Sequence, residues 1–128
     1  MALSEYLDQA SRWRFEWGKY DCCQFVRGWV AQVTGSDPAE KWRYSTRIGA
    51  ALLVSRHGGL VALMGSLALA AGLSETTTPK AHDVGVIRVL TEDGLQLVAA
   101  IFTGSGWAYL TTHGLARSRV TPVIAWAV

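Results

Sequence analysis

The hydrophobic period of the chain changes once, across Ser74 to Lys80, a stretch with three consecutive Thr and a Pro. Before it, apolar residues recur at helical spacing; after it, β-branched and aromatic residues gather in short runs between turns. Helices followed by strands, without alternation of the two, indicate an α+β domain. The 128 residues suit one domain, 1–128, helical to about residue 73 and sheet from about residue 82. Half of the residues are hydrophobic and six are Trp, which fills a core without disulfide staples and excludes disorder as the main state.

Within the helical part, Ser4 can cap a first helix through about Arg12, and Gly18 interrupts the segment that follows. Asp21-Cys22-Cys23-Gln24 reads as a helix start, with Asp21 as N-cap and Gln24 reaching back as in a capping box. Cys22, Phe25, Val26, Trp29, Val30 and Val33 then share a core face, and Gly35 stops the helix. Asp37-Pro38 restarts a short helix. Ser45 or Thr46 caps another through Val54 and Arg56, ending at His57-Gly58-Gly59, and Leu60 to Ala71 forms a buried helix closed by Gly72. Strands are expected over Val84 to Leu90, Leu95 to Thr103, Trp107 to Thr112 and Pro122 to Val128, arranged as a small antiparallel meander.

Charge and hydropathy exclude several functions. A net charge of +2 with no basic run gives no electrostatic footprint for nucleic acid. The most apolar stretch, Leu60 to Leu73, has 14 residues and two Gly, short of the roughly 20 that cross a bilayer. No basic-then-apolar leader opens the sequence, so the mature chain is expected to start at Met1. Cys22 and Cys23 are adjacent, which disfavours an ordinary disulfide and fits synthesis in a reducing compartment.

The chemistry concentrates at Cys22. A Cys at a helix amino terminus feels the partial positive charge of unpaired amides, which stabilises thiolate and prepares a nucleophile. It also needs a base, ordinarily His, from elsewhere in the fold. Against this stands the plainer reading that both Cys are small buried hydrophobes. No His pair has metal-ligand spacing, neither Cys-Cys nor a His-x-x-His-like motif argues for zinc, and no cofactor motif is present. Gly104-Ser105-Gly106 is a turn without phosphate-binding context. Arg12, Arg14, Lys19, Lys41, Arg43 and Arg47 surround the Trp-rich segment as a solvated surface. Trp13, Trp17, Trp42 and Trp107 are more than one small core usually hides, which leaves an interface open as a use for some of them.

Asp21-Cys22-Cys23-Gln24-Phe25, preceded by Trp17-Gly18, resembles the Asp-Cys-x-x-Phe motif of NlpC/P60 cysteine peptidases, papain-like enzymes that cut peptidoglycan stem peptides. More closely, the chain resembles small phage and prophage proteins related to NlpC/P60 and encoded among tail genes. The resemblance runs in order through Phe15-x-Trp17-Gly18, Asp21-Cys22-Cys23, Thr34-Gly35-x-Asp37-Pro38, Tyr44, Gly58-Gly59, Asp83-Val84 and Ala125-Trp126-Ala127-Val128. It implies a reduced papain-like core, a Cys helix packed on an antiparallel sheet, with Cys22 as nucleophile and Cys23 as packing. It also implies a place in the virion, in the tail tip or baseplate, assembled in the host cytoplasm with other tail proteins as partners.

The family's His opens the strand after its Gly-Asp motif, whereas the corresponding stretch here, Leu97 to Gly104, contains none. Thiolate formation and leaving-group protonation both rely on that imidazole, so its loss should lower a peptidase rate by orders of magnitude. His82, in place of the Gly before Asp83, and His113, in a Gly-flanked turn, are the candidates for a relocated base, each with a structural alternative. His57 reads as a helix terminator. Two functions follow: a structural tail protein with a degenerate site, or a cell-wall peptidase or amidase acting on peptidoglycan through Cys22.

Overall fold

A computed structural model describes residues 1–37 and 42–128. The short helix expected from Asp37-Pro38 falls mainly on residues 38–41, outside the described residues. Among the described residues, four helices precede the main sheet: α1 (Leu3–Ala10), α2 (Cys22–Thr34), α3 (Arg47–Arg56) and α4 (Leu60–Ala70). Six strands follow: β1 (Ser74–Glu75), β2 (Val84–Thr91), β3 (Gly94–Phe102), β4 (Trp107–Thr111), β5 (Gly114–Ser118) and β6 (Ile124–Ala127). The fold is α+β, and every pairing in the sheet is antiparallel.

α1 starts earlier than its sequence suggests. Ala2, not Ser4, is the N-cap, because Glu5 reaches back to the Ala2 amide at 3.4 Å. The helix also ends at Ala10, short of Arg12, where the Ser11 hydroxyl turns back to the Asp8 carbonyl. Leu3, Tyr6, Leu7 and Ala10 form its buried stripe. α2 begins and ends as its caps dictate: Asp21 Oδ1 accepts the Gln24 amide at 2.9 Å, and Gly35 takes a left-handed φ of +77°. Two details differ from expectation. Gln24 does not complete a capping box; its side chain accepts from Arg27, which is itself paired with Asp37. Val33 is exposed, since the last turn of α2 leaves the core that Phe25, Val26, Trp29 and Val30 fill.

α3 is capped by Thr46 and buries no residue fully. α4 buries Leu60, Leu63, Met64, Leu67 and Ala68, while Leu69 on its other side is exposed. Among the described residues no single helix is long and apolar enough to cross a membrane. α3 and α4 reach that length only as a pair bent by 74°, with the apolar face of α4 spent on the core.

The strand order is β1-β6-β2-β3-β4-β5. β2, β3 and β4 pair in the expected meander, an unexpected β5 adds to β4, and β6 does not extend it. It crosses back to the far side of β2, pairing Val84 with Trp126, and β1 then pairs with β6. β1 and β5 are strands that the run lengths do not reveal: β1 has two residues in the Thr-rich seam, and Gly-Leu-Ala-Arg-Ser carries little β propensity. The last turn accordingly lies at Thr112-His113, and Gly114 opens β5.

Side chains alternate across the sheet as its pleat requires. Val84, Val86, Ala99, Ile101, Ala108 and Leu110 meet the helices. Ile87, Val89, Ala100, Trp107 and Ala125 form a second cluster on the opposite face. There Trp107, the bulky residue offered above as an interface candidate, is buried against Gly85, where a β-carbon would come within 3.0 Å of the indole. Trp13, Trp17 and Trp42 are partly exposed. Asp83 ties the start of β2 to the end of the chain: its buried carboxylate accepts from the amides of Lys80 at 2.8 Å and Val128 at 3.0 Å. Asp83→Ala leaves those amides without their acceptor, so urea unfolding should show a loss of about 1–3 kcal/mol for each one that finds no water.

Candidate functional site

Asp21 organises the approach to Cys22. It is buried, and besides capping α2 it accepts the Gly18 amide at 2.8 Å and the Tyr44 hydroxyl at 2.6 Å on Oδ2. Gly18 has φ +83°, and a β-carbon there would lie 1.9 Å from the Tyr44 carbonyl oxygen. Only glycine lets the loop before α2 close on Tyr44. Burial and the Asp21 carboxylate hold the Tyr44 phenol well above its ordinary pKa, so it stays a donor. Three residues that are separate in the sequence thus form one brace behind the helix start.

Cys22 is the first residue of α2 and is partly exposed, while Cys23 is buried. The register of β3 decides what Cys22 meets. A two-residue turn makes Thr91 and Gly94 a hydrogen-bonded pair, and alternation from there leaves Ala99, opposite Val86, with its amide pointing away from β2. On that side β4 pairs with β3 only at Ile101 and Phe102. The Ala99 amide therefore faces a gap, and it donates to the Cys22 thiol. Cys22 lies below the usual thiol pKa, chiefly because the Cys23 thiol donates to it, with the Ala99 and Cys23 amides adding to the effect. Burial and the Asp21 charge oppose the shift without cancelling it. Cys23 moves up, held by the proton it shares with Cys22 and by burial. Cys22 thus presents a partly exposed sulfur whose ionised form is helped by the Cys23 thiol and by the Cys23 and Ala99 amides.

The described residues supply no imidazole contact to Cys22. Leu97, two positions from Ala99 on the same face of β3, is partly buried and packs against the core. His82 lies beside the middle of α2. Its carbonyl accepts from Trp29 Nε1 at 2.9 Å, and its ring is 5.9 Å from the Trp29 ring. Trp29 is seven residues along α2 from Cys22, about 10 Å of helix rise. His82 also holds φ +89°, a conformation that costs a non-glycine residue energy and that a Gly would take freely. His113 is exposed in the β4–β5 turn, and its Nε2 meets Glu92 Oε1 of the β2–β3 turn at 2.8 Å. His57 caps α3, its Nδ1 2.9 Å from the Leu53 carbonyl. No cluster among the described residues could hold a metal ion.

This geometry lies within a recognised family boundary. The chain belongs to the family described as Domain of unknown function (DUF6950), which matches residues 1–128. It matches no curated protein and no solved structure.

Sequence reasoning located Cys22, Asp21, Gly18 and Tyr44 but did not join the last two to the carboxylate. The signal was the three-residue spacing from Gly18 to Asp21, a turn that aims an amide at an acceptor. Glu92 as the partner of His113 gave no local signal, because the two sit on different hairpin turns. The paired thiols predict a pH profile. Iodoacetamide should label Cys22 in the folded protein with a rate that rises with pH and levels off below the pH at which a free thiol does so. Cys23, shifted the other way, should be labelled only after unfolding, as peptide mass spectrometry would read. Tyr44→Phe removes a donor to a charged acceptor and should cost about 1.5–3 kcal/mol in urea unfolding.

Proposed function

We propose that this chain is a structural component of a phage tail tip or baseplate, built on an NlpC/P60-like, reduced papain-like fold whose peptidase site has lost its base. The observation that carries this reading is Leu97 on the face of β3 that Cys22 approaches, with His82 and His113 engaged elsewhere. A helix-start Cys packed on an antiparallel sheet is the arrangement the resemblance implies. Several motif residues also have structural work: Gly18, Asp21 and Tyr44 brace the helix start, and Asp83 holds Val128. Such contacts account for those residue types without any demand from catalysis.

Neighbouring tail proteins are the partners in this reading. Ile48 and Leu52 on α3 and Leu90 and Leu95 beside the β2–β3 turn are exposed apolar side chains suited to such contacts. The competing reading, a cell-wall peptidase or amidase, draws on the lowered pKa and partial exposure of Cys22. In that reading the sulfur would attack an amide carbonyl and a displaced His would serve as base.

Purified protein incubated with peptidoglycan separates the two. Wild type and Cys22→Ala should release equally little stem peptide, and tail particles purified from a producing host should contain the protein. Cys22-dependent release of fragments would establish the peptidase instead, and absence from the particles would remove the tail role.

A further inference from the structure

The two edges of the sheet are unequal. One ends in the two-residue β1, and the other in β5, whose five residues have no backbone partner on their outer side among the described residues. The β4–β5 turn again has two residues, so Thr111 and Gly114 are a hydrogen-bonded pair, Leu115 and Arg117 fall at non-hydrogen-bonded positions, and their amides and carbonyls point outward. Their side chains point to the helix face, opposite Leu110 and Ala108. On that face α1 and β5 flank a groove of about 650 Å³, with Leu3, Leu7 and Leu115 as its apolar floor and Asp8, His82 and Arg117 among its rim. A smaller hollow of about 330 Å³, sharing Ser11, continues past Arg14 and His113.

The charge along this edge has one sign. Arg14, Arg117 and Arg119 are exposed and have no acidic partner among the described residues. The nearby carboxylates are engaged, Asp8 by Arg12 at 2.7 Å and Glu92 by His113. A second copy of the chain laid on β5 would bring these guanidiniums against one another, which opposes self-pairing.

From this we infer that β5 is the docking edge for an extended, acidic segment of a partner protein, added as a seventh strand antiparallel or parallel to β5. The outward amides and carbonyls of Leu115 and Arg117 pair with its backbone. Its carboxylates, at alternate positions on the helix face, meet Arg117 at the rim of the groove and Arg119 and Arg14 beyond it, while the intervening side chains face the other side of the sheet. The inference stands apart from the role of Cys22, and its failure would leave the reading of that site untouched.

The probe is a fluorescein-labelled ten-residue peptide of alternating Glu and Val, followed by anisotropy against the full chain. Two companions separate backbone pairing from charge: the same peptide N-methylated at alternate residues on either register, and a Lys-Val peptide. The Glu-Val peptide should bind, both N-methylated forms together should show that at least one register loses tenfold or more, and the Lys-Val peptide should not bind. Arg117→Glu, at an exposed position, should weaken binding at least tenfold with an unchanged circular dichroism spectrum. If that variant misfolds, the peptide comparison alone decides. Absence of Glu-Val binding, equal binding of all methylated forms, or dimerisation of the chain through β5 in sedimentation would overturn the proposal.

Discussion

The Asp21 carboxylate holds together everything around the helix start. One oxygen closes the first turn of α2, and the other gathers the Gly18 amide and the Tyr44 hydroxyl from segments on either side of the helix in the sequence. A buried carboxylate is tolerated only when its lone pairs are met, and here three donors meet them. The arrangement has an electrostatic cost for its neighbour, because the same charge opposes ionisation of Cys22. The Cys22 pKa is lowered nonetheless, by donors that come from the next residue and from the sheet. The nucleophile-like character of Cys22 is therefore a property of the packed domain and not of the helix terminus alone.

The sheet shows a similar dependence on register. The same count of residues from the β2–β3 turn puts Ala99 at a position with a free amide, puts Leu97 on the face toward the helices, and sends Ala100 to the opposite core. A slip of one residue would exchange all three. The helix-facing side chains of β3 beside Ala99 are Leu97 and Ile101, so the apolar packing of that face leaves no titratable group on it.

What the sequence disclosed was the chemistry that acts over a few residues. Asp21 before Cys22, Gly35 after Thr34, Thr46 before Arg47 and the turns around Gly94 each announce an element boundary through a local hydrogen bond or a left-handed residue. The helix-then-strand order followed from periodicity. Three features needed the whole fold. β6 returns to β2 across more than twenty residues, and nothing in its own sequence distinguishes that edge from the one beside β5. Gln24 abandons the capping box because Arg27 offers a charged donor, itself fixed by Asp37 ten residues away. Tyr44 lies 23 residues from the carboxylate it serves. The relation of either candidate His to Cys22 was likewise beyond reach, since it rests on which part of a helix meets which end of a strand.

The crossing of β6 also imposes an order on assembly. β2 and β3 are joined by a two-residue turn and zip through eight neighbouring pairs, a local event with little loop entropy to overcome. β6 can pair with β2 only after the chain has looped around β3, β4 and β5, and β1 has no strand to join until β6 is in place. Residues 74 and 75, though made before any other strand, hold their place in the sheet only through residues 126 and 127, some fifty positions later.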